Sequence, residues 1–492
     1  MNPPTGTASE PSGSPADREP AWRTWLARTL ARVDRRYRVP ELPSSLTLTH
    51  DEPPAVALAV AIEEARTALV AGREPGERAK SLFLEALARL IGEALRTDGG
   101  DPAFAAMVLR HRSPRVREHA SLSAHAERDR RQLRATANAL AHPAKAQRLP
   151  PGAMRDALVA LHDAATAGDW SRLADAAERL HPLHESPELP DAARRLRDDG
   201  ALARLRRLDE LASDPEVIRY RALWDRQGPS AGSAQAVASG AGAQQRGDAV
   251  EGLATEALQA LVDRMNAGAA SEMDATSAAV DAAVSGNAGE RASYRVVTSL
   301  RVPAAFPGDP QRAKSEWDVA LLRRHDADTW DLLLLVEAKA SADAATTDLP
   351  RLLRGLRLLA QADPRATYAF ASHQGEIPLR GASLRALPTE EAELARAVLY
   401  CSDAPAEQAP RLLSAASRMQ LLSAPASLDF ADQLERGLAV ESRQLEPVWD
   451  QLLTAPAFAP VLRQHATLRT VRELMVHPSD LMAAVRAAPA PT

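Results

Sequence analysis

Glu337 and Lys339 close a continuous apolar run, Leu332 to Val336, of strand length. Side chains alternate along a strand, so the two point to one side at the polar end of that run. Upstream, Glu316 and Asp318 share a face by the same spacing. The polar stretch from His325 to Thr329 predicts a hairpin that sets Asp318 beside Glu337. Two carboxylates on adjacent strands suit a hard divalent cation held through oxygen, the preference of Mg²⁺. An ammonium beside them orients water or stabilises charge on a phosphoryl oxygen.

An acidic residue two before a lysine is expected by chance in a chain of this composition, so the tripeptide alone carries little. The bland alternative is a solvated sheet edge with a cross-strand ion pair. Lysine usage sharpens the reading: only Lys80, Lys145, Lys314 and Lys339 stand among 60 basic residues. Arginine cannot copy a compact ammonium, so a lysine kept here is informative.

The elements that must position these residues are legible as patterns. A helix over 248–267 and a small-residue connection over 269–291 precede a β-branched strand from Tyr294 to Val302. The hairpin strands 316–323 and 331–339 follow. A helix from Leu349 to Gln361 comes next, with Asp348 as N-cap and Pro350 in its first turn. Ala366 to Ser372 reads as another strand, and the chain beyond 389 reads as helical. Residues 21–227 form an α-helical domain of amphipathic runs without a repeat signature, after a disordered tail over 1–20. The Gly-, Ser-, Ala- and Gln-rich stretch 228–247 reads as a flexible linker.

The helix, the hairpin bearing Asp318, and the strand ending Glu337-Ala338-Lys339 together resemble the PD-(D/E)xK phosphodiesterase superfamily, with its restriction-endonuclease-like fold. The resemblance covers roughly 247–375. It implies a central mixed sheet in the order α-β-β-β-α-β over 248–388, within a multidomain α plus α/β chain whose C-terminal extension, 389–492, is helical. It also implies roles. Asp318 and Glu337 would hold Mg²⁺ or Mn²⁺ with the Ala338 carbonyl, Lys339 would serve the attacking water, and Glu251, after Gly247, would assist. Trp317 stands where the family has proline, and the glutamine–tyrosine motif of the RecB-like exonuclease branch is absent.

Arg351, Arg354 and Arg357 lie on the helix after the site strand, beside the substrate in that fold, with Gly355 permitting close approach. A solvated face is the competing reading. A second basic stretch runs through Arg110, Arg112, Arg115, Arg117, Arg128, Arg130, Arg131 and Arg134, and charge runs of this kind usually face solvent. His181 and His184 have no Cys or acidic partner at ligand spacing. One cysteine, Cys401, excludes a disulfide framework, and a net charge of −5 selects no partner. No apolar stretch is long enough for a membrane span, so a soluble cytoplasmic chain is expected. The expected activity is metal-dependent hydrolysis of phosphodiesters, in DNA rather than RNA. The alternative is a catalytically inactive nucleic-acid-binding or scaffold protein retaining the same fold. The N-terminal helical domain is available to a protein partner.

Overall fold

The computed structural model describes residues 21–39, 41–45, 48, 52–180, 188–226, 234–277, 293–407 and 411–490. The chain divides into two units, each built from separated segments. One comprises Met1–Leu48, Ala234–Ser414 and Leu462–Thr492; the other comprises Thr49–Ser233 and Ala415–Val461. The expected tail over 1–20 and the pair His181 and His184 lie outside the described residues. Among those described, no helix is long and apolar enough to cross a membrane.

The second unit is helical. Its boundaries follow side-chain caps: Asp101, Ser113, Asp199 and Asp214 accept from main-chain N–H groups at the starts of Pro102–Arg112, Pro114–Ala141, Gly200–Leu211 and Pro215–Asp225. The periodicity over 189–211 reads as one amphipathic helix, but the Asp199 cap splits it into Glu188–Arg197 and Gly200–Leu211. Residues 415–461, expected in a C-terminal extension, pack here: the Phe83 and Trp449 rings meet at a tilt with centroids 5.2 Å apart, and Arg112 pairs with Asp432 and Glu435.

The first unit holds a seven-stranded sheet. Its strands are β1 (Tyr294–Arg301), β2 (Glu316–Arg324), β3 (Trp330–Ala338), β4 (Thr367–Ser372), β5 (Gly375–Arg380), β6 (Val398–Cys401) and β7 (Met475–Val476). The order is β2-β1-β4-β5-β3-β6-β7, and β2 also pairs with β3, so five strands close on themselves. The β2–β3 hairpin is antiparallel, as expected; Asp326 closes its turn by accepting from the main chain of Asp328 and Thr329. β6 and β7 run parallel beside β3. Two apolar layers sandwich the sheet. One face packs on the crossover helix Ala342–Leu359 through Leu332, Leu335, Leu352 and Leu356. The other packs Val319, Leu334 and Val336 on Val250, Ala254 and Leu258 of the long helix Ala234–Ser277.

Four expectations need correction. The linker over 228–247 is helical from Ala234 onward, where it begins the long helix, while 228–233 lie outside the described residues. Alanine and glutamine, poor at building a core, are strong helix formers. That helix also runs to Ser277, into the expected small-residue connection. Residues 389–492 are not a separate helical extension, because β6 and β7 are strands of the site-bearing sheet. The helix Ala21–Ala31 belongs to the sheet unit and not to the helical domain over 21–227. Its Trp25, Leu26 and Leu30 share a core with Val250 and Leu258, and the Trp25 indole donates to the Pro489 carbonyl.

Candidate active site

Asp318 stands one residue beyond the last β2–β3 pair, Val319 with Val336, which brings it opposite Glu337. Its Oδ2 accepts from the Ala338 N–H at 2.8 Å, fixing the carboxylate across the strand ends. Glu337 is fully buried. The Lys339 ammonium lies 3.1 Å from Glu337 Oε2 and 4.0 Å from Asp318 Oδ2. The alternation read from the apolar run therefore brings Asp318, Glu337 and Lys339 together.

Three further side chains complete the cluster. Lys314, just before β2 and itself buried, reaches Glu337 Oε2 at 2.6 Å. Asp348 lies 3.7 Å from the Lys339 ammonium and accepts from the Tyr400 hydroxyl at 3.3 Å. Tyr400 sits on β6, in register with Glu337. Asp348 is thus no N-cap: the crossover helix starts two turns earlier, capped by Ser341, and Pro350 lies in its interior. Lysine scarcity was the available signal for Lys314. Nothing local marked Tyr400, because its partner strand lies about sixty residues upstream.

The electrostatics follow from burial. Removal from water pushes the Glu337 carboxyl up to about 8, and the Asp318 charge adds to this, while Lys314 and Lys339 oppose it. Burial pulls the Lys339 ammonium down, but Glu337, Asp348 and Asp318 together outweigh it and hold it above its ordinary value. Burial holds the half-buried Glu251 carboxyl above its usual range, helped by the charge of Asp318, so Glu251 lies within the field of the cluster. Glu256 is exposed. Glu316, expected to share the Asp318 face, is turned to Ser299 and Arg301.

Glu337 Oε1 is buried and has no hydrogen-bond partner among the described residues. A desolvated carboxylate oxygen without a donor is costly, and a bound cation is one way to satisfy it. No cluster of three His, Cys, Asp or Glu with metal-holding geometry occurs among the described residues. The donor set is therefore two carboxylates and the nearby Ala338 main chain. That suits Mg²⁺, which takes one or two protein carboxylates and completes its shell with water and substrate phosphate.

Arg351, Arg354 and Arg357 are exposed along the crossover helix, and Arg354 donates to the Arg312 carbonyl at 2.9 Å. Gly355 serves packing, because a Cβ there would lie 2.9 Å from the Lys314 Cβ and carbonyl oxygen. In the helical unit half of the basic stretch is paired internally: Arg112 with Glu435, Arg115 with Asp214, and Arg130 and Arg131 with Glu127. No protein-family model, curated protein or solved structure matches the chain.

Proposed function

We propose that the protein is a Mg²⁺- or Mn²⁺-dependent nuclease of the restriction-endonuclease-like kind, cutting phosphodiester bonds in DNA rather than RNA, in the cytoplasm. The observation that carries this reading is the unpartnered Glu337 Oε1, buried beside Asp318 and Lys339 at the polar end of β3. The succession of long helix, β1, β2, β3, crossover helix and β4 supports it.

Asp318, Glu337 and the Ala338 carbonyl would hold the ion, which when bound polarises a phosphoryl oxygen and makes a nucleophile of water. Lys339, held in its charged form, orients that water and offsets negative charge building on the phosphoryl group; it is not the base. Glu251 assists from the long helix. Arg351 and Arg354, exposed on the crossover helix, would meet phosphates further along the strand.

One observation favours a second reading. Two lysines on one buried glutamate also describe a structural ion-pair network, as in a scaffold that retains the fold without hydrolysis. Linear, circular and single-stranded DNA incubated with Mg²⁺, Mn²⁺ or EDTA separate the two. Metal-dependent cleavage abolished by Asp318→Asn supports the nuclease. Intact DNA under every condition supports the scaffold.

A further inference from the structure

At the end of β3 remote from Glu337, two arginines share one indole. Trp330 opens β3 and Arg324 lies directly across from it on β2. Arg295 on β1 pairs with Leu322, two residues from Arg324 and therefore on the same face. The guanidinium carbons stand 4.1 Å (Arg295) and 5.0 Å (Arg324) from the Trp330 ring centroid. A cation on an indole face is an ordinary stabilising contact. It does not account for a second like charge beside the first.

Among the described residues neither charge is balanced. The Nε atoms of Arg295 and Arg324 are buried and donate to no acceptor there. Among the described residues, no carboxylate pairs with either side chain. Asp331, next along β3, is occupied by Arg323 at 2.8 Å and Arg380 at 3.3 Å, with His325 at 3.8 Å. Burial, and then the charge of Arg324, disfavour the charged form of Arg295. An acceptor entering here would satisfy two desolvated donors and relieve the repulsion together.

We propose that Arg295, Arg324 and Trp330 form a binding site for a phosphate-type oxyanion. Two forked guanidiniums match the several oxygens and multiple charge of phosphate, which a single carboxylate would leave partly unmet. The half-buried setting strengthens the attraction over that of a solvated arginine pair. Trp330 and Glu337 are seven residue steps apart on β3, about 23 Å of strand, so this site is independent of the proposed metal centre. The phosphate is supplied by a nucleic-acid backbone or by a free phosphate compound.

The test uses the full chain in EDTA, so that no hydrolysis is needed and its outcome does not depend on the nuclease reading. Sodium pyrophosphate is expected to raise the Tm above that in sodium chloride of matched ionic strength. Arg295→Gln and Arg324→Gln should each lose most of that rise while keeping an anion-free Tm at or above wild type. Arg324→Lys retains charge but not the fork, and should weaken pyrophosphate binding about tenfold in calorimetry; it carries the comparison if a glutamine variant fails to fold. A DNA oligonucleotide that displaces pyrophosphate assigns the site to a nucleic-acid backbone; failure to displace it assigns the site to a free phosphate compound. A wild-type Tm no higher than in chloride, or an undiminished rise or affinity in the variants, overturns the proposal and leaves a structural stack.

Discussion

The Lys314 ammonium stands 2.6 Å from Glu337 Oε2, closer than that of Lys339 at 3.1 Å. Glu337 is therefore held from two directions, by a residue preceding β2 and by one following β3. Both bonds fall on the same oxygen, which leaves Oε1 unmatched. Lys314 is less exposed than Lys339, with side-chain exposures of 6% and 17%, so the first is the buried anchor and the second the more accessible of the two.

Replacing each lysine should then have a different consequence. Lys314→Met removes an anchor from a buried carboxylate and should destabilise the fold by about 3 kcal/mol, read by urea denaturation. Lys339→Ala should cost much less stability yet abolish DNA cleavage. Equal stability losses would mean that the two ammoniums share one structural role.

Metal binding should appear as a thermal shift, whatever the substrate. Mg²⁺ or Mn²⁺ binding only the folded chain raises the Tm by mass action. Asp318→Asn keeps an oxygen to accept from the Ala338 N–H but removes the charge that raises the Glu337 carboxyl. The metal-free variant should be at least as stable as wild type, with the metal-induced rise lost. A destabilised variant, together with a wild type indifferent to metal, identifies a structural ion pair.

Stability should fall with rising pH across a defined window. The Glu337 carboxyl titrates near 4.5 when unfolded and at about 8 when buried, so between these values the folded chain keeps a proton that the unfolded chain has lost. This contribution is fully present below the lower value and is lost as pH rises through the upper one. Glu337→Gln should flatten the decline. A metal ion must displace the same proton, so the metal-induced Tm rise should grow from pH 6 to pH 8.

Gly355→Ala probes the packing behind the site. The added methyl would meet Lys314 at 2.9 Å and the Trp317 ring at 3.1 Å, both on well-packed groups. A loss of about 2 kcal/mol is expected. Cleavage by the folded fraction should also fall, because Lys314 is displaced from Glu337. Wild-type stability would show that the crossover helix moves away freely.

If Arg351 and Arg354 meet phosphates, changing both to alanine should weaken binding to all DNA sequences alike and reduce the salt slope by about one to two counterions. An unchanged slope, measured by fluorescence anisotropy over a salt series, returns them to a solvated face.

The hairpin and its three polar residues were legible in the sequence because their determinants are local. An apolar run, a polar turn and two-residue alternation fix which side chains meet at a strand end, and Asp318, Glu337 and Lys339 obey that arithmetic. Apolar periodicity and a capping residue together marked the helix Pro114–Ala141 behind Ser113, but not the break that Asp199 makes before Gly200–Leu211. The crossover helix start was misplaced, because Asp348 looks like a cap in isolation; only the fold shows it turned toward Lys339 and Tyr400.

Long-range pairing decided the rest. β6 is four residues long and β7 two, too short to show a period, and they are strands only because β3 offers an edge to β6 and β6 in turn offers one to β7. Which segments share a core is equally nonlocal. Trp25 joins Val250 and Val485 through apolar faces that any helix could have covered, and neither linker composition nor sequence order specifies that choice. The charge state of Glu337 belongs with these. The sequence determines that a glutamate ends the strand, but its proton affinity depends on how completely the tertiary structure removes it from water and on Lys314 arriving from outside the motif.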